Sequence, residues 1–246
     1  MARGSHATVM PRTAMVLAAG KGQRMHPLTA TRPKPLVELA GKPLIDHVLD
    51  ALEDAEVQRV IVNVHHLGEQ LIAHFNAWKY PQILISDERD ALLDTGGGIA
   101  RALPLIGGRP FFLVNSDSIW RDGHGSALYR LADAFIPRTM DALLLLIPPE
   151  RGVGYEGPGD FLIDGNGRLT RRGGQARGAL VYMGVGVIHP RLFAGAPQGA
   201  FSLNLLFDRA IEAGRLFGLV HEGEWMHVGT PAALKQAEDR LAAGRG

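Results

Sequence analysis

The segment Met15-Val16-Leu17-Ala18-Ala19-Gly20-Lys21-Gly22-Gln23-Arg24-Met25 decides the fold. An apolar run with strand character, Met15–Ala19, leads straight into a turn of small residues and glycines that carries Lys21 and Arg24. In such a turn the backbone N–H groups can approach a polyphosphate closely, and the two cations add charge at the same place. The turn is not a Walker A loop, because no Gly-Lys-Ser/Thr triplet closes it. Nor is it the dinucleotide Gly-x-Gly-x-x-Gly, because Met25 stands where the third glycine would be. On spacing alone it also reads as a tight strand-to-helix connection.

Outward from this segment, strand-like apolar stretches alternate with helical periodicity. Arg59–Val64, Gln82–Ser86, Phe111–Asn115 and Ala142–Ile147 read as strands, the last a continuous apolar run of the kind buried on both faces. Leu44–Ala55 and Leu67–Phe75 each gather their apolar residues on one helical face. This order predicts an α/β fold: an open, mainly parallel, Rossmann-like sheet with helices on both faces. After Pro149 the composition turns rich in Gly and Arg, and Asp164-Gly165-Asn166-Gly167 is a hairpin signal between Phe161–Ile163 and Arg168–Thr170. That predicts an antiparallel β elaboration, followed by a strand at Leu180–Ile188 and helices at Leu203–Ala213 and Pro231–Ala242. Thr230-Pro231 supplies an N-cap and an N1 proline for the last of these.

The whole chain has 246 residues, with 26 Lys plus Arg against 25 Asp plus Glu and no Cys. The even charge balance argues against nucleic acid or an anionic membrane as the main partner and favours a small molecule. Without Cys, disulfides, thiolate nucleophiles and Cys-based metal sites are excluded, so a metal must sit on oxygen or imidazole. No apolar run approaches the roughly 20 residues of a bilayer helix, and a cytoplasmic setting is expected. The stretch Met1–Arg12 reads as a leader or cloning remnant.

Downstream of the glycine turn come Pro27-Leu28-Thr29 and Arg32-Pro33-Lys34-Pro35-Leu36-Val37. Each proline fixes its own φ and pushes the preceding residue away from the helical region, so Arg32 and Lys34 are expected on a stiff, extended stretch. A lysine bracketed by prolines presents its ammonium at a fixed point. The bland alternative is a rigid surface turn. Taken together, the glycine turn, Pro-Lys-Pro-Leu-Val and Gly41-Lys42-Pro43-Leu44-Ile45 resemble the sugar-1-phosphate nucleotidyltransferases. The resemblance continues through Asp94-Thr95-Gly96-Gly97-Gly98-Ile99, Val114-Asn115-Ser116-Asp117, Gly159-Asp160-Phe161 and Trp225 to Thr230. Within the family, the short chain and the Thr-Gly-Gly-Gly-Ile segment are most similar to the branch that uridylylates N-acetylmuramate 1-phosphate. The mannose 1-phosphate guanylylating branch is the near neighbour.

The resemblance implies one nucleotidyltransferase domain over about 13–246, with a nucleotide-binding half over about 13–120 and a sugar-binding half over about 121–246. Its substrates would be a nucleoside triphosphate and a sugar 1-phosphate. By the same resemblance Arg24 steadies the β- and γ-phosphates and Lys34 bridges the α-phosphate and the sugar phosphate. Asp117 is the implied ligand of a Mg²⁺ ion. Leu17, Ala19, Gly20, Lys21 and Gly22, with Thr95, Gly96 and Gly97, would receive the nucleotide, the glycines offering N–H groups to the base ahead of a short helix. Asn115, Gly159, Asp160 and Gly184 would line the sugar side.

The chain departs from the family at two points. Ser116 replaces a glycine before Asp117, and His227 stands where the family has its second metal-binding Asp. Three readings of His227 are open: it ligates a softer ion such as Mn²⁺ or Co²⁺, it contacts phosphate as a cation or donor, or the site is weakened. The second is favoured, since phosphates and water can fill a Mg²⁺ shell around one carboxylate. A weakened site would leave a nucleotide-sugar-binding regulatory protein as the rival to an enzyme. His65-His66 reads as a polar strand end, because adjacent strand residues point to opposite faces. Arg168, Arg171, Arg172 and Arg177 read as a solvated hairpin face.

Overall fold

The computed structural model describes residues 10–175 and 177–243. In chain order these form β1 (Thr13–Leu17), β2 (Glu38–Leu39), β3 (Lys42–Pro43), α1 (Leu44–Asp54), β4 (Arg59–Val64), α2 (Gly68–Phe75) and β5 (Gln82–Asp87). Then follow α3 (Asp94–Ile106), β6 (Phe111–Asn115), β7 (Ser118–Arg121), α4 (Ala127–Ala134), β8 (Ala142–Ile147) and β9 (Gly152–Val153). The remainder is β10 (Phe161–Ile163), β11 (Leu169–Arg171), β12 (Val181–Ile188), α5 (Asn204–Glu212), β13 (Leu216–Val220), β14 (Glu224–His227) and α6 (Pro231–Ala243).

A seven-stranded sheet runs in the order β13-β8-β12-β6-β1-β4-β5. All its pairings are parallel except those of β12, which is antiparallel to both β6 and β8. Successive strand residues point to opposite faces, and both faces are covered. Val16, Val62 and Val114 pack with α1, α2 and α4 on one side, while Met15, Ile61 and Leu113 pack with α3 and α5 on the other. This is the predicted open, mainly parallel sheet. Two smaller assemblies lie outside it, the hairpin β10-β11 and the sheet β7-β14-β9.

From β1 the chain steps outward to β4 and β5, then returns to place β6 on the other side of β1. Such a switch in strand order leaves a crevice beyond the carboxyl ends of the two central strands. Leu17 and Asn115, paired in register at those ends, mark its floor.

Several boundaries differ from the sequence reading. β1 ends at Leu17, because the Ala18 N–H leaves the ladder for the Asn63 side chain (2.7 Å). Arg12, assigned to the leader, already joins the sheet through its carbonyl, which accepts from Gln58 N (2.9 Å) and Arg59 N (3.2 Å). The rest of that leader, up to Val9, lies outside the described residues. The hairpin turn forms as predicted, with Asp164 Oδ1 accepting from Asn166 N and Arg168 N (both 2.8 Å). Thr230 Oγ1 caps α6 at Ala233 N (3.1 Å). Lys34 opens a 3-10 turn, Lys34–Leu36, rather than an extended stretch; only Pro33 before it is extended. Among the described residues no helix is long and apolar enough to cross a membrane.

Candidate active site

The glycine turn after β1 is held from below and behind. Gly22 has φ 64°, a conformation that costs glycine little, and its carbonyl accepts from Thr29 Oγ1 (2.8 Å) and Met25 N (2.9 Å). Met25, at the place where a dinucleotide loop has glycine, is fully buried and anchors the turn in the core. The Pro-Leu-Thr segment is therefore a latch on the loop. A Cβ on Gly22 would stand 3.1 Å from the Lys34 Cβ, so the glycine turn and the Pro-Lys-Pro segment also touch.

Above the switch point lies a cavity of about 610 Å³. Leu17, Ala19, Gly20, Lys21, Gly22 and Arg24 line one wall, and Lys34, Thr95, Asn115 and Asp117 line the rest. Lys34 Nζ donates to Asp117 Oδ2 at 2.5 Å, with both side chains mostly buried. Burial alone would raise the Asp117 carboxyl. The Lys34 ammonium, with His227 and the hydrogen bond from Lys34, outweighs that and holds the group below the usual carboxylate range, so it is ionised at neutral pH.

His227 sits beside this pair, at the end of β14, opposite Ser118. It faces a second cavity of about 340 Å³, which it shares with Arg24 and Tyr155. Its ring packs tilted on Trp225 (5.6 Å) and edge-on to Tyr155 (6.4 Å). Burial, with Lys34 and Arg24 nearby, pushes the His227 imidazole down despite the pull of Asp117. The shift favours the neutral ring, which can ligate a metal or donate an N–H. The strand that carries it is tied to the sheet through Ser118, whose hydroxyl accepts from Trp225 Nε1 (2.8 Å) and donates to the Met183 carbonyl.

Other expected residues fall elsewhere. Gly96 and Gly97 lie inside the first turn of α3, not before it, and their N–H groups both donate to the Phe201 carbonyl (2.9 and 3.1 Å). They are buried under that segment and offer nothing to a base; a Cβ on Gly96 would meet the Phe201 ring at 2.3 Å. Thr95 Oγ1 accepts from Leu203 N (2.9 Å) while still lining the cavity. Gly184, at φ 74° in the irregular stretch of β12, lies behind Asn115 rather than in the cavity. Gly159 and Asp160 lie outside the cavity wall, and Asp160 Oδ2 accepts from Tyr182 N (2.9 Å), which fixes the turn.

The sequence reading missed the floor of the site. Asn63 bridges Ala18 N and Glu88, donating from Nδ2 to Glu88 Oε1 (2.7 Å). Glu88 is fully buried, and burial pushes its carboxyl up against the pull of Asn63. Gly98 packs on this pair so closely that a Cβ would come within 2.6 Å of Glu88 Oε1. A signal was present: Asn63 is the one polar residue inside the apolar run Val60–Val64. Leu92 and Asp94 complete the wall beside Thr95, with Asp94 at φ 58° opening α3. His65, read as a polar strand end, hydrogen-bonds the Glu88 carbonyl through Nδ1 (2.7 Å).

Near the Lys34 ammonium, Asp117 offers a carboxylate and His227 an imidazole to a metal. Among the described residues no group of three or more His, Asp or Glu is clustered to hold an ion alone. The set fits a Mg²⁺-type site whose shell is completed by substrate phosphates and water. A loop that presents N–H groups and cations to phosphates, over a Lys-Asp pair at the switch point, defines a nucleotidyl-transferring protein. The chain belongs to the MobA-like NTP transferase domain family, whose model matches residues 14–152. Over 236 residues, 94% of this chain and 98% of the relative, it is 45% identical to the N-acetylmuramate α-1-phosphate uridylyltransferase of Caulobacter vibrioides. The protein of that name from Neisseria meningitidis serogroup B is 38% identical over 92% of this chain and 96% of its own. The resemblance to sugar-1-phosphate nucleotidyltransferases read from the sequence is borne out by these relatives. A solved UDP-glucose pyrophosphorylase, complexed with UDP-glucose, shares the fold at TM-score 0.78 and 15% identity, over 96% of this chain and 100% of that one. Enzymes of this family generally use a divalent metal.

Proposed function

We propose that this chain joins UTP to N-acetylmuramate 1-phosphate, giving the uridine diphosphate sugar and pyrophosphate, with Mg²⁺ as the ion and the cytoplasm as the setting. The observation that carries the reading is the Lys34–Asp117 pair beneath the Gly20–Arg24 loop, in a chain 45% and 38% identical to two N-acetylmuramate α-1-phosphate uridylyltransferases.

The attacking oxygen of a sugar phosphate is already ionised at neutral pH, so no general base is needed. The barrier lies in bringing two polyanions together in line and stabilising the charge between them. Lys21 and Arg24 hold the outer phosphates of the triphosphate. Lys34 spans the α-phosphate and the incoming sugar phosphate, releasing Asp117 as it does so. Asp117, with phosphates and water completing the shell, would hold the divalent ion, with His227 beside it to contact phosphate, and the ion would supply charge neutralisation between the reacting phosphates. Leu17, Leu92 and Thr95 flank the base, and Asn115 faces the sugar.

The test is pyrophosphate release from UTP or GTP crossed with N-acetylmuramate 1-phosphate or mannose 1-phosphate, each with Mg²⁺ and Mn²⁺. Release with UTP and N-acetylmuramate 1-phosphate is expected. Release only with GTP and mannose 1-phosphate would move the chain to the guanylyltransferases. No release from any pair, with nucleotide sugar still bound, would make it a sensor, and recovery of turnover in His227→Asp would locate the cause.

A further inference from the structure

Four arginines on and after the β10-β11 hairpin, Arg168, Arg171, Arg172 and Arg177, read in the sequence as one solvated basic face. The fold separates three of them by function. Arg168 lies over the Phe217 ring (5.7 Å). Arg171 lies over the Phe161 ring (4.7 Å) and is paired with Asp208 at 2.6 Å. Both are structural arginines, with apolar stems and rings packed together.

Arg172 is different. Its backbone N–H donates to the Asp160 carbonyl (3.1 Å) and its Nε to the Gly159 carbonyl (3.1 Å), while Nη1 reaches the Gln175 carbonyl at 3.5 Å. Every one of these acceptors is a neutral carbonyl, which orients the guanidinium without neutralising it. Among the described residues no carboxylate lies within salt-bridge distance of Arg172, and Nη2 has no partner. Asp160, the acid of the same turn, is committed to Tyr182 N.

The position of this free charge follows from a run of contacts that starts at the metal-side histidine. His227 packs against Tyr155. The Tyr155 hydroxyl accepts from Gly159 N (3.3 Å), and the Gly159 carbonyl orients Arg172. Burial and then Asp160 push the Tyr155 phenol up, while the hydrogen bond from Gly159 and, last, Arg172 pull it back. Arg172 is thus linked to His227 through one aromatic ring and one turn. Lys21, Arg24 and Lys34, in contrast, line the phosphate cavity.

We infer that Arg172 is the specificity-determining residue for an acidic sugar, receiving the carboxylate of the substrate's lactyl ether on a guanidinium pre-oriented by Gly159 and flanked by Tyr155. The inference rests on the reading of N-acetylmuramate 1-phosphate as substrate. That sugar differs from N-acetylglucosamine 1-phosphate by the lactyl group alone, and its second negative charge needs a cation that the phosphates do not already occupy. A planar fork matched to a carboxylate is the group suited to this, and one held by carbonyls loses little freedom on binding.

The experiment compares wild type, Arg172→Gln and Arg172→Lys in steady-state turnover of UTP with each of the two sugar phosphates. In wild type, turnover of N-acetylmuramate 1-phosphate is expected. Arg172→Gln should lower kcat/KM for that sugar by roughly 10- to 100-fold, through KM, the range of a lost charge-assisted hydrogen bond. Turnover of N-acetylglucosamine 1-phosphate and the KM for UTP should stay within about twofold, and Arg172→Lys should recover part of the loss. An unchanged preference in Arg172→Gln overturns the inference, and so does an equal loss on both sugars, which marks a structural role. Failure of the wild type on N-acetylmuramate 1-phosphate overturns instead the substrate reading on which the inference rests.

Discussion

Lys34 Nζ stands 2.5 Å from Asp117 Oδ2, although the two residues are 83 positions apart in the chain. Both residues line the cavity and each charge is sheltered, with side-chain exposures of 14% and 17%.

Lys34→Met should therefore separate catalysis from metal binding. Loss of a cation that acts on the reacting phosphates lowers turnover by about 10²- to 10³-fold. The orphaned carboxylate costs stability, about 1–3 kcal/mol at this degree of burial, and a divalent ion bound there restores it. Thermal unfolding with and without Mn²⁺ checks this: the ion should raise the Tm of the variant more than that of the wild type. An equal rise in both would show that Lys34 does not compete for Asp117.

Ser118→Ala removes the hydroxyl that joins Trp225 Nε1 to the Met183 carbonyl. Both partners are buried, so each is left with an unmet hydrogen bond. We expect a loss of about 1–3 kcal/mol, or roughly 2–4 °C in Tm per kcal/mol for a chain of this size. Since Trp225 and His227 share a strand face, the variant should also bind Mn²⁺ less tightly, and the Trp emission should shift.

Gly98→Ala tests whether the glycines of α3 serve packing. In an ordinary helix the substitution gains about 1 kcal/mol. Here the new Cβ meets Glu88 Oε1 and Asn63 Nδ2 at 2.6 and 2.9 Å, and those two atoms are fixed by their own hydrogen bond. The clash, about 1–3 kcal/mol for overpacking a fitted core, should win. A chemical denaturation midpoint at or above the wild-type value would refute the packing role.

Glu88 gives the pH dependence. Its carboxyl is pushed above the ordinary value by burial, so the folded state binds the proton more tightly than the unfolded chain. That stabilisation is complete below the unfolded pKa and disappears as pH rises through the higher folded value. Glu88→Gln cannot titrate. The difference in Tm between wild type and variant should thus be most favourable to wild type near pH 4 and shift towards the variant as pH approaches 7. A pH-independent difference would mean that Glu88 has the same pKa folded and unfolded.

Six of the seven strands of the central sheet were legible as apolar runs, Ala142–Ile147 and Arg59–Val64 most clearly because they are buried on both faces, while the edge strand β13 was not read. β7 and β14 were not legible. Ser118–Arg121 and Glu224–His227 are short and mixed in polarity, and they become strands by pairing with each other across more than a hundred residues, with β9 on the far side of β14. The Gly96–Gly97 segment misled for a related reason: three glycines in a row look open to a ligand, but what they admit is the chain's own Phe201. Arg168, Arg171 and Arg172 likewise share a sequence neighbourhood, yet the Phe217 ring, the Phe161 ring with Asp208, and the Gly159 carbonyl decide what each one touches.

By itself the sequence determined the α/β class, the phosphate turn with Lys21 and Arg24, the fixed Lys34 and the carboxylate of Asp117. These depend on covalent geometry and local periodicity: prolines set φ, glycines permit close approach, and alternating apolar runs make strands. Only the tertiary structure decided that Lys34 pairs with Asp117, that Asn63 bridges Ala18 and Glu88, that burial lowers the His227 imidazole, and that Arg172 is held by backbone carbonyls. Those outcomes depend on desolvation and on charges brought together by the return of β6 beside β1, and neither quantity exists until the chain has folded.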